Sequence, residues 1–117
     1  MTSRTLKSRE FHVLVALADE PLHGYQMAQR MEEDSEGRMR IMPGNLYAIL
    51  QRLTDEGLIQ PLARSPRGPS DDSRRRYFEL TPAGRRALAS EGLRLERLSA
   101  RLRSRRLLDL DGEEAAP

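Results

Sequence analysis

Apolar residues recur at helical intervals through the first half of the chain. From Ser8 onward, Phe11, Leu14, Val15 and Ala18 lie on one stripe, Leu17 widens it, and Pro21 closes the run. This pattern predicts a first helix over residues 8–19 with Ser8 as its N-cap. Pro21-Leu-His-Gly24 then reads as a tight connection into a second helix. That helix begins at His23 or Gly24, turns Met27, Ala28 and Met31 inward, and ends near Asp34, with Gly37 as the turn residue beyond it. The sharpest stripe follows an extended lead-in over residues 38–42. Leu46, Ile49, Leu50 and Leu53 stand at i, i+3, i+4 and i+7. Pro43 suits the first turn of this third helix, and Gly57 suits the left-handed residue past its end.

The period then changes from helix to strand. Leu58-Ile-Gln-Pro-Leu62 is a short apolar segment that Pro61 confines to a sheet edge. Residues 65–73 are turn formers without periodicity. Arg76-Tyr-Phe-Glu-Leu80 alternates, with Phe78 and Leu80 on one face and Tyr77 and Glu79 on the other, so the two segments pair as a hairpin. Thr81-Pro82 opens a last helix reaching Leu107 or Leu108. On it, Leu88, Leu95 and Leu102 are spaced by seven and Leu98 takes the complementary position, while Glu91 and Arg105 interrupt the seam. The seam either packs on its own domain or meets a second subunit. Both hold if Leu88 points inward and Leu95, Leu98 and Leu102 are intermolecular; a helix lying on a membrane surface is the remoter reading.

The fold class expected is mainly α with a small β-hairpin. Residues 8–80 form a winged helix-turn-helix and residues 81–108 a dimerisation helix. Residues 1–7 are expected to be flexible, and residues 109–117 to be a disordered acidic tail.

Composition narrows the function. With 117 residues, 38% hydrophobic and 32% charged, the chain supports one small core under a polar surface. It has no cysteine, no apolar run long enough to span a membrane and no secretion signal, so a cytoplasmic protein is expected. His12 and His23, the only histidines, have no ligand set around them. No nucleophile–base pair or phosphate-cradling glycine loop is present either. Neither catalytic residues, a metal nor a cofactor is expected. The net charge is only +2, but its layout is uneven. Arg64, Arg67, Arg74, Arg75 and Arg76 gather around the hairpin loop against Asp71 and Asp72 alone.

A basic loop and a donor-rich helix face together point to double-stranded DNA. On the third helix, Asn45, Tyr47, Ala48, Gln51 and Arg52 lie opposite the apolar stripe. Asn45 and Gln51 suit adenine edges, Arg52 a guanine edge or a phosphate, and the Tyr47 hydroxyl either. Arg67, Arg74, Arg75 and Arg76 suit the flanking backbone.

Taken in order, several segments resemble the PadR-like transcriptional regulators. These are Leu14-Val-Ala-Leu-Ala18, Pro21-Leu-His-Gly-Tyr25, Pro43-Gly-Asn-Leu-Tyr47 with Leu50-Gln-Arg-Leu53, Glu56-Gly-Leu-Ile59, and Arg75-Arg-Tyr-Phe-Glu-Leu-Thr-Pro-Ala-Gly84. The resemblance covers about residues 8–90 and is to the short form with a single C-terminal pairing helix. It implies a homodimeric repressor in which the third helix reads DNA, the wing touches the backbone and the last helix pairs subunits. The chain departs from the family pattern twice. Met42 stands where a capping Ser or Thr is frequent, a loss of about 1 kcal/mol, and Ala48 stands where proline is frequent. Such regulators also respond to phenolic acids or drugs near the dimer interface. At 4% aromatics this chain has little to build a stacking pocket, and any small-molecule effector stays unnamed. The alternative is a winged-helix module that binds protein and has lost DNA contact, which would not need an arginine-rich wing.

Overall fold

The apolar stripes of the second and third helices become inner faces in the computed structural model, which describes residues 5–108, whereas on the first helix Val13 and Ala16 are buried and Val15 and Ala18 only partly so. In chain order the elements are α1 (Ser8–Ala16), β1 (Leu22–His23), α2 (Gly24–Asp34), α3 (Pro43–Asp55), β2 (Ile59–Pro61), β3 (Tyr77–Leu80) and α4 (Pro82–Ser104). Val13 and Leu14 of α1, Met27 and Met31 of α2, and Leu46, Ile49, Leu50 and Leu53 of α3 meet in one core. Ile59, Phe78 and Leu80 close it from the sheet side. The described residues thus form a three-helix core with a small wing and a long appended helix, the mainly α winged architecture expected.

The ends of the elements differ from expectation in instructive ways. α1 is capped by Lys7, not Ser8, because the Lys7 N–H donates to Oε1 of Glu10 at 2.8 Å. This is the reaching-back half of a capping box, built without a hydroxyl. The helix stops at Ala16 rather than near Asp19, as the Leu17 N–H divides between the carbonyls of Val13 and Leu14. Leu6, expected in a polar flexible lead-in, is buried in the core. α4 stops at Ser104 instead of Leu107 or Leu108. There Arg106 takes a positive φ of 65° and the Leu107 N–H returns to the Leu102 carbonyl, a helix-ending turn that usually employs glycine. The tail from Asp109 lies outside the described residues.

α3 ends where its sequence says. Gly57 has φ +75°, its N–H bonds the Thr54 carbonyl, and the Leu58 N–H bonds the Leu53 carbonyl. At the other end Met42 offers no side-chain cap, and its own carbonyl receives the Leu46 N–H.

The sheet holds a strand that the hydrophobic pattern missed. Its order is β1-β3-β2, all antiparallel, with Leu22 opposite Phe78, His23 opposite Tyr77, and Ile59 opposite Leu80. A two-residue strand is too short to show any period. It occupies the second edge of β3, and Tyr77, expected to point outward with Glu79, is buried instead, its ring against His23 on the neighbouring strand. Pro61 does lie on the outer strand, as its missing N–H requires.

α4 is keyed to the end of α3 through the Thr81 N-cap. The Thr81 hydroxyl accepts from the Gly84 N–H at 3.0 Å and donates to the Gly57 carbonyl at 2.6 Å, while the Thr81 N–H donates to Leu58. Ala87 and Leu88 pack on the core, and Glu91 is held by Arg94 one turn on. Beyond that point the helix leaves the domain: Leu95, Leu98 and Leu102 are all exposed in the single chain.

Candidate nucleic-acid interface

α3 presents its polar side as a strip between two flanks. At 100° per residue, Gly44, Ala48, Gln51 and Asp55 run along the centre of the side opposite the core. Tyr47 falls on one flank, Asn45 and Arg52 on the other. All of these residues are exposed. Tyr47 is 62% exposed, and its hydroxyl has no partner among the described residues. Gln51 rests its amide on Asp55 at 2.9 Å, a surface bond that a stronger acceptor displaces readily. Ala48 is exposed and small.

Gly44 is a position the sequence reading passed over. A Cβ built there meets nothing within 4 Å, so no packing inside the protein demands glycine. Glycine costs up to about 1 kcal/mol against alanine in a helix. Gly44 and Ala48 together leave the first two turns of α3 nearly bare along their outer line, which lets the backbone approach a partner closely.

Arg52, expected to suit a guanine edge or a phosphate, already has a carboxylate beside it. Its Nε lies 3.2 Å from Oε2 of Glu10, and the arginine side chain remains 46% exposed. The carboxylate is 1% exposed. A crevice lined by Lys7, Ser8, Arg9, Asn45, Ala48 and Arg52 runs between α1 and α3 above this pair. The sequence holds Glu10 in plain view, but among surface-like charges nothing in its spacing marks it as buried.

The wing is organised around Asp71. One of its oxygens accepts the Ser65 hydroxyl at 2.7 Å and the Tyr77 hydroxyl at 2.8 Å; the other accepts Arg75 at 3.0 Å. The Ser65 and Tyr77 hydroxyls, followed by the Asp72 backbone N–H and the charge of Arg75, hold the Asp71 carboxyl down at about 2 against an ordinary 3.8. The Tyr77 ring meets His23 edge-on, centroids 5.2 Å apart. His23 in turn caps α2, its Nδ1 3.4 Å from the Gln26 N–H and its own N–H on Gln26 Oε1 at 3.0 Å. A chain of contacts therefore ties the wing to the start of the helix-turn-helix. Burial first, then the charge of Arg75, lowers the pKa of His23, so its ring is neutral near pH 7.

The arginines of the wing divide into two groups. Arg74 is bound by Asp72 through both Nε and a terminal nitrogen, at 3.2 and 3.1 Å, and Arg75 by Asp71. Arg74 and Arg75, expected to suit phosphates, are thus already paired, because Asp72 and Asp71 lie two and four residues before them. Arg64, Arg67 and Arg76 are exposed and make no ion pair among the described residues. Arg64 was not among the DNA-contact residues expected from sequence.

Asp71→Asn is expected to loosen the wing, since the amide offers one acceptor where three donors converge. A group with a depressed folded-state pKa stabilises above its unfolded value and loses that contribution as pH falls through the folded one. For Asp71 the window lies between 3.8 and about 2. Protection of the amides in residues 62–76, taken relative to the intrinsic exchange rate at each pH, should therefore fall as the wild type is acidified across that window. The Asp71→Asn protein should show low protection at both ends of it.

The chain matches the model of the transcriptional regulator PadR-like family over residues 13–90. It is 36% identical over 88 residues to the transcriptional regulator Rv3488 of Mycobacterium tuberculosis, a match covering 75% of this chain and 76% of that protein. It is 43% identical over 90 residues to an uncharacterized 37.1 kDa protein in transposon TN4556 of Streptomyces fradiae. That match takes in 77% of this chain and 24% of the relative, so the chain spans about a quarter of that protein's length. The structure of Bacillus subtilis PadR in complex with operator DNA shares the fold, with a TM-score of 0.60 and 21% identity over 72% of this chain and 46% of that one. The family match begins inside α1 and ends inside α4, taking in α3 and the wing, and the chain belongs to the PadR-like family of transcriptional regulators, which are not enzymes.

Proposed function

We propose that the protein is a homodimeric repressor that binds a pseudo-palindromic operator in the cytoplasm. The observation that carries this reading is the exposed outer strip of α3, Gly44 to Asp55, where no packing demands the glycine and the Gln51 amide makes only a surface bond to Asp55. In this reading α3 enters the major groove. Gln51 and Asn45 meet base edges, Ala48 touches a thymine methyl or simply permits approach, and Tyr47 bonds a phosphate or base from its flank. Arg64, Arg67 and Arg76 contact the flanking backbone, joined by Arg74 and Arg75 when phosphates replace their carboxylate partners. Leu95, Leu98 and Leu102 meet their counterparts in a second copy, with Leu88 left on the domain. Solvent-exposed leucines on a bare helix are otherwise wasteful, since burying one is worth about 1.5–3 kcal/mol.

Binding to the DNA upstream of the protein's own coding region, compared with random duplex at about 150 mM salt, tests the reading. Preference for the upstream DNA supports it; equal affinity sinks it. Tyr47→Ala is expected to weaken operator binding by about 1–3 kcal/mol while leaving random duplex nearly unaffected. Arg76→Ala should weaken both alike and lower the slope of log K against log salt by about 1. A sequence-dependent loss for Arg76→Ala would contradict its backbone role.

A further inference from the structure

Glu10 is the most deeply buried charged side chain among the described residues, and the capping of α1 does not explain its charge. The cap needs one oxygen, Oε1, for the Lys7 N–H at 2.8 Å. An amide oxygen would serve equally well. The second oxygen is turned across to α3, where it forms an ion pair with Nε of Arg52 at 3.2 Å. A carboxylate in a dry site is retained at a cost unless its partner repays it. Here one partner, Arg52, sits on the rim of α3 beside Asn45 and Ala48.

We propose that Glu10 is a positioning residue for DNA reading: its buried carboxylate fixes Arg52 in one conformer so that the guanidinium meets a base edge already in register. The proposal rests on the DNA-reading function given above. Two physical arguments support a base over a phosphate. A guanidinium drawn to a carboxylate through Nε leaves the four N–H donors of its terminal nitrogens facing outward in a rigid fork, and part of its rotamer freedom is given up before DNA arrives. A carboxylate alongside also cancels much of its charge, which weakens a sequence-blind phosphate contact but leaves directional hydrogen bonds in place. The pair therefore exchanges general affinity for discrimination.

Glu10→Gln separates these effects. Its amide oxygen still caps α1 through the Lys7 N–H, but the neutral group no longer attracts the Arg52 guanidinium. Affinities for an operator and for random duplex are measured at one salt concentration, beside thermal unfolding. Operator binding is expected to fall about tenfold, while random-duplex binding holds or rises because a negative charge has gone. Adding Glu10→Gln to Arg52→Gln should cause no further operator loss. Arg52 is exposed, so Arg52→Lys carries the same test in a protein certain to keep its core: charge retained, fork lost, operator binding down and random binding unchanged. Equal weakening on both duplexes, or an unchanged operator-to-random ratio, overturns the positioning role. A wild type without operator preference overturns the DNA reading and this inference with it. A wild type that discriminates beside a Glu10→Gln protein that discriminates equally overturns the inference alone.

Discussion

Replacing Leu95, Leu98 and Leu102 together with glutamate is expected to leave a folded monomer that binds operator DNA about 10²–10⁴-fold more weakly. The three leucines are exposed in the single chain, so the substitutions remove no contact of the winged domain. Circular dichroism and the unfolding midpoint should change little. What they remove is the seam by which two copies would join, and with it the gain from engaging two half-sites at once. Facing glutamates would also repel across any residual contact. Light scattering behind size exclusion reads the mass directly. A triple variant that stays dimeric would move the subunit interface elsewhere on the molecule, and one that still binds at wild-type strength would remove the need for a dimer.

Gly84→Ala should produce the largest loss of stability of any single methyl added to the protein. A Cβ at Gly84 would stand 1.9 Å from the Leu58 carbonyl oxygen and 2.9 Å from its carbon, both backbone atoms with little freedom to move. The collision falls where α4 crosses the turn that ends α3. Thr81 bonds both Gly57 and Leu58 there, so α4 cannot slide away without breaking its own cap. Overpacking of this sort costs about 3 kcal/mol at its upper end, which lowers Tm by about 12 °C or more in a domain of this size. Gly44→Ala is the matched control. Its methyl enters open space, and replacing glycine in a helix gains up to about 1 kcal/mol. Differential scanning of the two variants should give shifts of opposite sign; a Gly84→Ala protein as stable as the wild type would mean that the α3–α4 junction is looser than its geometry.

How far the molecule was legible from its residues depended on the range of the interaction. α2 and α3 were legible to within a residue at each end, because their periodicity, Pro43 and the glycines act within one or two turns. Leu88 could be separated from Leu95, Leu98 and Leu102 because the seam outruns the core. β1 was not legible. Its two residues carry no period, and its reason to exist is β3, more than fifty positions later. The burial of Tyr77 followed from the same blind spot. The pairing of Arg52 was not legible because its partner, Glu10, sits on another helix and resembles any surface acid in sequence. Likewise Asp71 and Asp72 read as a dilution of the basic wing, whereas they bind Arg75 and Arg74 and organise the loop around Ser65 and Tyr77. Local chemistry can be read along the chain. Pairings between distant charges need the fold.

The central claim, that α3 of a paired molecule reads DNA sequence, is tested most directly by selecting bound duplexes from a random pool at about 150 mM salt. The account predicts enrichment of one pseudo-palindrome whose half-site centres lie about 10 base pairs, or a multiple of that spacing, apart. A pool that emerges without a motif, or with a lone half-site bound as tightly as any pair, would contradict it.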